Sequence, residues 1–390
     1  MKPFSDILLE YTKDFESPTS FWKWSGYAII AGLLRDNVWL KQADIRIYPN
    51  IYVVLMADSG AHRKNRPVST AGDLAQFVKI TKVIRGRASI QAILSVLGKV
   101  YTDRNTGEMI KGGSCLLCAE ELASFIVDDP QAIKLLTDIY DYREVWESIL
   151  KSEEFKVEKL CVSMLAASNE EFLRDVYTGK AIYGGLLART FLIKPDEFRR
   201  GNSLFETNGS YNRDILLDPI KDIIDKKNHG EVLMSAEGAI EYNRWYYPFR
   251  ESYRVKPDRS GVAARIHTGV LKLSMILTLD RYERIIRKDI VERAICECME
   301  LLPNYENFTM GSGKSEIAEA AAFFLQSLWE AKGHTMSKSD FLAKHWNEVD
   351  GEKLNKITET LEQGKIITIL ISGAATIYTL TSKGIEAFKK

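Results

Sequence analysis

The chain carries no net charge: 53 Lys and Arg stand against 53 Asp and Glu. That balance excludes a polycation gripping nucleic acid by bulk charge, so any such contact must come from a local stripe of Lys and Arg. Histidine is scarce. His62, His229, His267, His334 and His345 form no H-x-x-x-H or H-E-x-x-H pair, which argues against a metal hydrolase. There are only five cysteines. Cys115 and Cys118 have the spacing of a zinc or redox pair, but no second pair answers them and they fall in an apolar run, so they read as core. Unpaired thiols of this kind fit a reducing cytoplasm. No run approaches the ~18 apolar residues of a membrane span. The opening MKPFSDILLEYTKDFESP has acids and no apolar h-region, so no signal peptide is expected.

What the chain does have is 390 residues, 45% of them hydrophobic, which suits one large core and one small one. Spacings of three and four between Phe21, Trp22, Trp24, Tyr27, Ile30 and Leu34 predict an aromatic helix capped by Ser20. From Ile45 the pattern turns to strands. Residues 51–56 (IYVVLM) are apolar and largely β-branched, as suits a strand covered on both faces. A polar loop follows at 57–64, then a helix starting near Pro67. Residues 114–119, 160–167 and 190–193 read as further buried strands, with helices at 89–97 and 130–140 between them. Such alternation predicts an α/β fold with a parallel central sheet. Residues 102–113 look like an exposed hairpin. Beyond about residue 200 the strand signal fades, and 215–226, 236–246, 261–286 and 289–302 read as helices. A linker is expected at 303–314. Helices at 316–331, 339–346 and 352–363 then precede a hairpin around Ser372 and Gly373, the order of a winged-helix domain. The expected division is an N-terminal helical segment (1–44), a P-loop NTPase core (45–203), a helical region (204–308) and a C-terminal winged helix (316–390).

The candidate site centres on Ser59, Gly60, Ala61, His62, Arg63, Lys64 and Asn65. A loop between a buried strand and a helix aims backbone N–H groups and the helix dipole at one point, which binds phosphate. A lysine there reaches the β and γ phosphates. The spelling departs from G-x-x-x-x-G-K-[ST]: Asp58 and Arg63 stand at the glycine positions. Asn65 replaces the Mg²⁺-binding hydroxyl and would ligate through its side-chain carbonyl. A better-spelled stretch, Gly311 to Ser315, has Phe308 at its first glycine position and no buried strand before it, so it reads as linker. The strand 114–119 runs into Glu120 and Glu121. As a Walker B pair, Glu120 would hold Mg²⁺ and Glu121 would orient the attacking water; the alternative is a helix-capping pair. The strand 160–167 runs into Asn169, which would sit beside the γ-phosphate. Arg189, following Gly184 and Gly185, would reach a neighbouring subunit's phosphate; the alternative is a local salt bridge.

In this order the residues resemble a family. The carriers are Phe21-Trp22-Lys23-Trp24-Ser25-Gly26, Leu33-Leu34-Arg35-Asp36-Asn37-Val38-Trp39, Tyr48-Pro49-Asn50-Ile51-Tyr52-Val53-Val54-Leu55, Ser59-Gly60 and Arg63-Lys64. Together with Asp138-Ile139-Tyr140-Asp141 they resemble phage and mobile-element primase–helicase-like P-loop proteins over about residues 15–300. In that family a tryptophan-bearing helix precedes a Tyr-Pro-Asn strand, and the phosphate loop often carries Arg-Lys in place of Gly-Lys. The resemblance implies a RecA-like or AAA+-like ATPase. It would use ATP and Mg²⁺ and work as a homo-oligomeric ring, a hexamer, on single-stranded DNA during replication. Residues 1–40 are too few for a primase domain.

DNA contacts could come from Lys79, Lys82, Arg85 and Arg87, or from Arg104 and Lys111; the alternative for each group is a solvated face. On the helix 352–363, Lys353 and Lys356 are offset by Glu352, Glu359 and Glu362, which favours a protein contact, with replication proteins, or a weak DNA contact for the winged helix. Two other functions stay open: a slow or non-hydrolysing helicase loader or scaffold, and a winged-helix DNA-binding regulator.

Overall fold

The computed structural model describes residues 2–58, 60–99, 101–102, 109–110, 112–126, 130–150, 153–177, 185–201, 212–225, 228–255, 261–305, 316–345, 349–373 and 375–388. The chain divides into two compact units, Met1–Thr309 and Met310–Lys390.

The first unit opens with α1 (Phe4–Tyr11), α2 (Thr19–Leu34) and the hairpin of β1 (Val38–Gln42) and β2 (Ile45–Ile47). Then come β3 (Tyr52–Met56), α3 (Asn65–Val78), β4 (Lys82–Arg85), α4 (Ile90–Gly98), the two-residue strands β5 (Tyr101–Thr102) and β6 (Met109–Ile110), and β7 (Ser114–Ala119). After them follow α5 (Ala123–Ile126), α6 (Pro130–Asp138), β8 (Arg143–Leu150), β9 (Glu153–Ser168), α7 (Glu170–Tyr177) and β10 (Thr190–Ile193). Five strands run parallel in the spatial order β10-β3-β9-β7-β4, so the expected parallel α/β sheet is present.

Register decides what covers each face. Val53 pairs with Leu165 and Phe191, and Leu165 with Cys118, which puts these and Leu116 on one side. The helix α2 covers that side: Trp24 lies 4.9 Å from Phe191, and a Cβ at Gly32 would fall 3.0 Å from Leu116, so glycine lets the helix settle there. On the other side the Tyr52 hydroxyl donates to Leu136 O of α6 at 3.0 Å. From that same side Lys82 reaches the end of α4.

Several elements differ from the sequence expectation. The first helical residue of α2 is Thr19, and Ser20 does not cap it. Its free N–H groups are taken by acids far along the chain, Thr19 by Glu197 Oε1 at 3.0 Å and Ser20 by Asp196 Oδ1 at 3.1 Å. A polar hairpin lies outside the apolar pattern: β9 starts at Glu153, not 160, and pairs antiparallel with β8. The expected linker starts too early, because the Tyr305 hydroxyl and Asn304 amide bond Thr190 O and Leu192 O on the open edge of β10. That satisfies an edge strand that would otherwise be exposed for pairing.

The helical region holds α8 (Leu217–Ile223), α9 (Ala236–Val255), α10 (Val262–Asp280) and α11 (Lys288–Met299). By length and composition α10 could cross a membrane, contrary to the expectation that no run qualifies. Its mean hydropathy is 1.3 and 72% of the window is buried inside the fold. Asp280 at its end accepts the Ser5 N–H (3.1 Å) and Ser5 Oγ–H (2.5 Å), capping α1. Burial pushes the Asp280 carboxyl up, and the Ser5 bonds pull it down.

The second unit contains α12 (Glu316–Glu330), β11 (Thr335–Ser337), α13 (Lys338–His345), α14 (Gly351–Gln363), β12 (Ile367–Ser372), β13 (Ala375–Leu380) and α15 (Ser382–Phe388). Its first three helices and its hairpin match the sequence pattern, and β11 adds a third antiparallel strand beside β13. The core is aromatic, with Phe324 edge-on to Phe341 and Tyr378 at 5.0 and 5.2 Å.

Cys115, Cys118, Cys161 and Cys298 are buried free thiols and Cys296 is exposed. Cys115 and Cys118 sit three apart on a strand and so point to opposite faces, which excludes joint chelation. Burial raises all four buried thiols, Cys115 and Cys118 to about 12. Each thiol's stabilising contribution is therefore complete below its unfolded value of about 8.5 and is lost above it, at about 1.4 kcal/mol per pH unit. Lys272, lowered by burial to about 8, and Lys82, also lowered by burial, work in the opposite sense, but they are two groups against four. The urea midpoint is expected to fall between about pH 8.5 and 10. A flat or rising midpoint would contradict the burial of these thiols.

Candidate functional site

Crossovers in the sheet single out one crevice. From β3 the chain passes through α3 to β4, on the far side of β9 and β7. From β9 it goes the other way, to β10. The carboxyl ends of the neighbouring strands β3 and β9 therefore send their connections apart, and open parallel sheets bind ligands at such a point. The two ends are tied by Ala57 N–H donating to Ser168 O at 3.2 Å.

The loop out of β3 turns twice through left-handed backbone, at Gly60 (φ 80) and Arg63 (φ 46), before Lys64 enters helical geometry (φ −55, ψ −26). Ala61 N–H closes on Asp58 O at 3.4 Å and Arg66 N–H on Arg63 O at 3.0 Å. Ser59 lies outside the described residues. Such a change of handedness between successive residues turns backbone N–H groups into an anion-binding concavity. Arg63 thus adopts the kind of backbone that glycine adopts without penalty, despite its side chain. An N-terminal segment clamps it: Arg63 Nε bonds Glu16 Oε2 at 2.7 Å, and Ser17 Oγ–H donates to Arg63 O at 3.0 Å. Nothing local in the sequence marks Glu16 or Ser17 for this role. The helix α3 starts at Asn65, two residues before the expected Pro67.

Lys64 is only 9% exposed, and among the described residues its ammonium makes no hydrogen bond or ion pair. It lines a cavity of about 600 Å³ together with Gly60, Arg63, Asn65 and Glu121. A second cavity of about 500 Å³ shares Asn65 and Arg66 with the first and brings in Glu120. A third, of about 420 Å³, contains both Glu120 and Glu121. Both carboxylates are thus grouped with the start of α3, although one lies 55 residues beyond it. Ala61 and His62 lie on the same loop. The His62 ring meets Phe198 edge-on at 5.3 Å, and Phe198 is 77% exposed. Sequence patterning does not single out Phe198.

Two candidates stand apart from this group. Asn169 follows β9 directly, but its Oδ1 accepts the Phe172 N–H at 2.7 Å, which caps α7. Arg189 is at the amino end of β10, so the length of β3 separates it from the loop, roughly 16 Å at 3.3 Å per residue. Its guanidinium pairs with Asp141 Oδ2 at 2.8 Å and bonds Gly185 O at 3.1 Å.

The expected basic run after α3 is largely structural. Lys82 is buried in β4 and donates to Leu97 O (2.8 Å), Lys99 O (2.6 Å) and Gly112 O (2.8 Å). Arg85 bonds Asp73 at 2.6 Å. Lys79 and Arg87 are exposed, and Arg104, Lys111 and the stretch 308–315 lie outside the described residues. No protein-family model and no curated protein matches the chain.

The loop backbone makes a test available. A Cβ at Gly60 meets nothing within 4 Å, so Gly60→Ala loses stability through backbone strain alone, about 1–2 kcal/mol. Arg63→Gly relieves the same kind of strain while freeing the unfolded chain, and is expected within about 1 kcal/mol of the parent. Urea unfolding of both variants checks this; a large loss for Arg63→Gly would mean its side chain, not its backbone, holds the loop.

Proposed function

We propose that the β3–α3 loop binds ATP and that the first unit is a P-loop ATPase of the phage or mobile-element helicase-like class, working as a homo-oligomeric ring on single-stranded DNA. The observation that carries this reading is Lys64, a buried cation with no partner among the described residues, at the wall of a cavity at the carboxyl edge of a parallel sheet. Buried lysines are rare without an anion beside them. The strand order and the left-handed turns of the loop support the same reading. In it the second unit serves as a winged helix.

On this proposal Lys64 contacts the β and γ phosphates, and the backbone N–H groups from Gly60 to Asn65 cradle them. Asn65 and Glu120 offer oxygens for Mg²⁺. Mg²⁺ takes few protein ligands and completes its shell with phosphate and water. When bound, Mg²⁺ neutralises charge on the phosphates. Glu121, on the cavity that holds Lys64, orients the attacking water, and catalysis is positioning plus charge neutralisation. The exposed Phe198 beside His62 offers a face to the base.

Two observations favour a slower variant of this reading, a nucleotide-dependent loader or scaffold. The Asn169 carbonyl caps a helix, and the Arg189 guanidinium is bonded to Asp141, so neither is in place to act on a γ-phosphate.

ATP at a hundredfold excess over its Kd is expected to stabilise the full chain by about 2.7 kcal/mol, and Lys64→Ala to abolish that gain. Glu121→Gln is expected to keep binding while lowering turnover by about a hundredfold or more. Turnover stimulated by single-stranded DNA selects the motor; binding without turnover selects the loader. Absence of any ATP effect on stability and turnover overturns both.

A further inference from the structure

A separate cavity of about 430 Å³ opens at the amino edge of the same sheet, a strand's length from Lys64. Four basic side chains line it: Arg46, Arg189, Arg265 and Lys272. Among its lining residues the one carboxylate is Asp141, and that is paired with Arg189. Three positive charges are left without a counter-charge in the wall.

The cations are built into the fold. Lys272, in the middle of α10, is 4% exposed. Its ammonium donates to Asn50 O and Asn50 Oδ1, both at 2.8 Å, and lies 4.3 Å from the Tyr140 ring centre. None of these contacts is an anion. The Arg189 side chain is 10% exposed, and its buried Nε–H has no partner among the described residues. Arg265 stands exposed one helical turn before Thr268, and both line the cavity. Burying cations without an anion is costly. That strain registers in the groups themselves: Lys272 is lowered by burial to about 8, and Arg265 is lowered by burial and by the charge of Arg189.

We propose that this cavity is a second anion site that takes the phosphate of a nucleotide, with the Arg189 Nε–H and the Arg265 guanidinium as donors and Lys272 as the buried counter-charge. Guanidinium groups match phosphate oxygens in geometry as well as charge. The volume falls in the range of small-ligand sites. Flat rings stand beside the charges: Tyr48 stacks on Tyr142 at 3.9 Å, and Tyr246 lies 5.2 Å from His267. A base can rest on such a platform while its phosphate meets the cations. The phosphate can come from a free nucleotide or from a nucleotide within a single strand.

The test uses the full chain carrying Lys64→Ala, so that the β3–α3 loop does not contribute. It is titrated calorimetrically at low ionic strength with AMP, with inorganic phosphate and with a 5′-phosphorylated oligothymidylate. At least one phosphate-bearing probe is expected to bind at one per chain. Adding Arg265→Glu, an exposed position that leaves the fold intact by circular dichroism, is expected to weaken it by about tenfold or more. AMP binding identifies a free nucleotide as the source, and binding of the oligonucleotide alone identifies the strand. The proposal is overturned if no probe binds, or if binding is unchanged by Arg265→Glu.

Discussion

The strand β3 is held at both ends by hydrogen bonds that cross the sheet, and the placing of both charged cavities follows from it. At its amino end Asn50 donates to Tyr140 O and Val162 O and receives the Lys272 ammonium. Its carboxyl end is tied by Ala57 to Ser168. Between these ties all five residues of the strand are buried. A strand this constrained delivers the β3–α3 loop at a defined height above the sheet, beside the carboxyl ends of β7 and β9. The start of α3 therefore shares cavities with Glu120 and Glu121 without any local sequence signal linking them.

The chain keeps its net charge at zero while concentrating cations where the sheet ends. Lys64 is at one edge; Lys272 and Arg189 are at the other. Lys82 and Arg293 are satisfied by the fold itself. Lys82 supplies donors to three carbonyls, and Arg293 bonds both Glu297 and the Tyr27 hydroxyl. What sets Lys64, Lys272 and Arg189 apart is the open volume they line, although Lys272 and Arg189 also keep protein partners.

How much was legible in the sequence depended on whether a residue's partners were near in sequence or only in space. β3, β7 and β10 announced themselves as apolar runs because both faces of a parallel sheet are covered. β4 did not. Its Lys82 and Arg85 read as a basic surface, yet Lys82 lies inward with Ile84, its stem buried and its ammonium capped by carbonyls. The hairpin of β8 and β9 was masked by charges that alternate along an exposed ribbon. Remote caps such as Glu197 on α2 could not be read at all. For the site, the loop at Gly60 to Asn65 and the acids after β7 were legible from their place after buried strands. The clamp from Glu16, the ring of Phe198 and the pairing of Arg189 with Asp141 were not, since each joins segments tens of residues apart or more.

The central claim is that Lys64 meets a phosphate. A crystal structure of the full chain grown with a non-hydrolysable ATP analogue and Mg²⁺ tests it most directly. The account predicts the β or γ phosphate within about 3 Å of Lys64 Nζ, with loop N–H groups turned toward it. An analogue bound elsewhere while the loop cavity holds only water would contradict it.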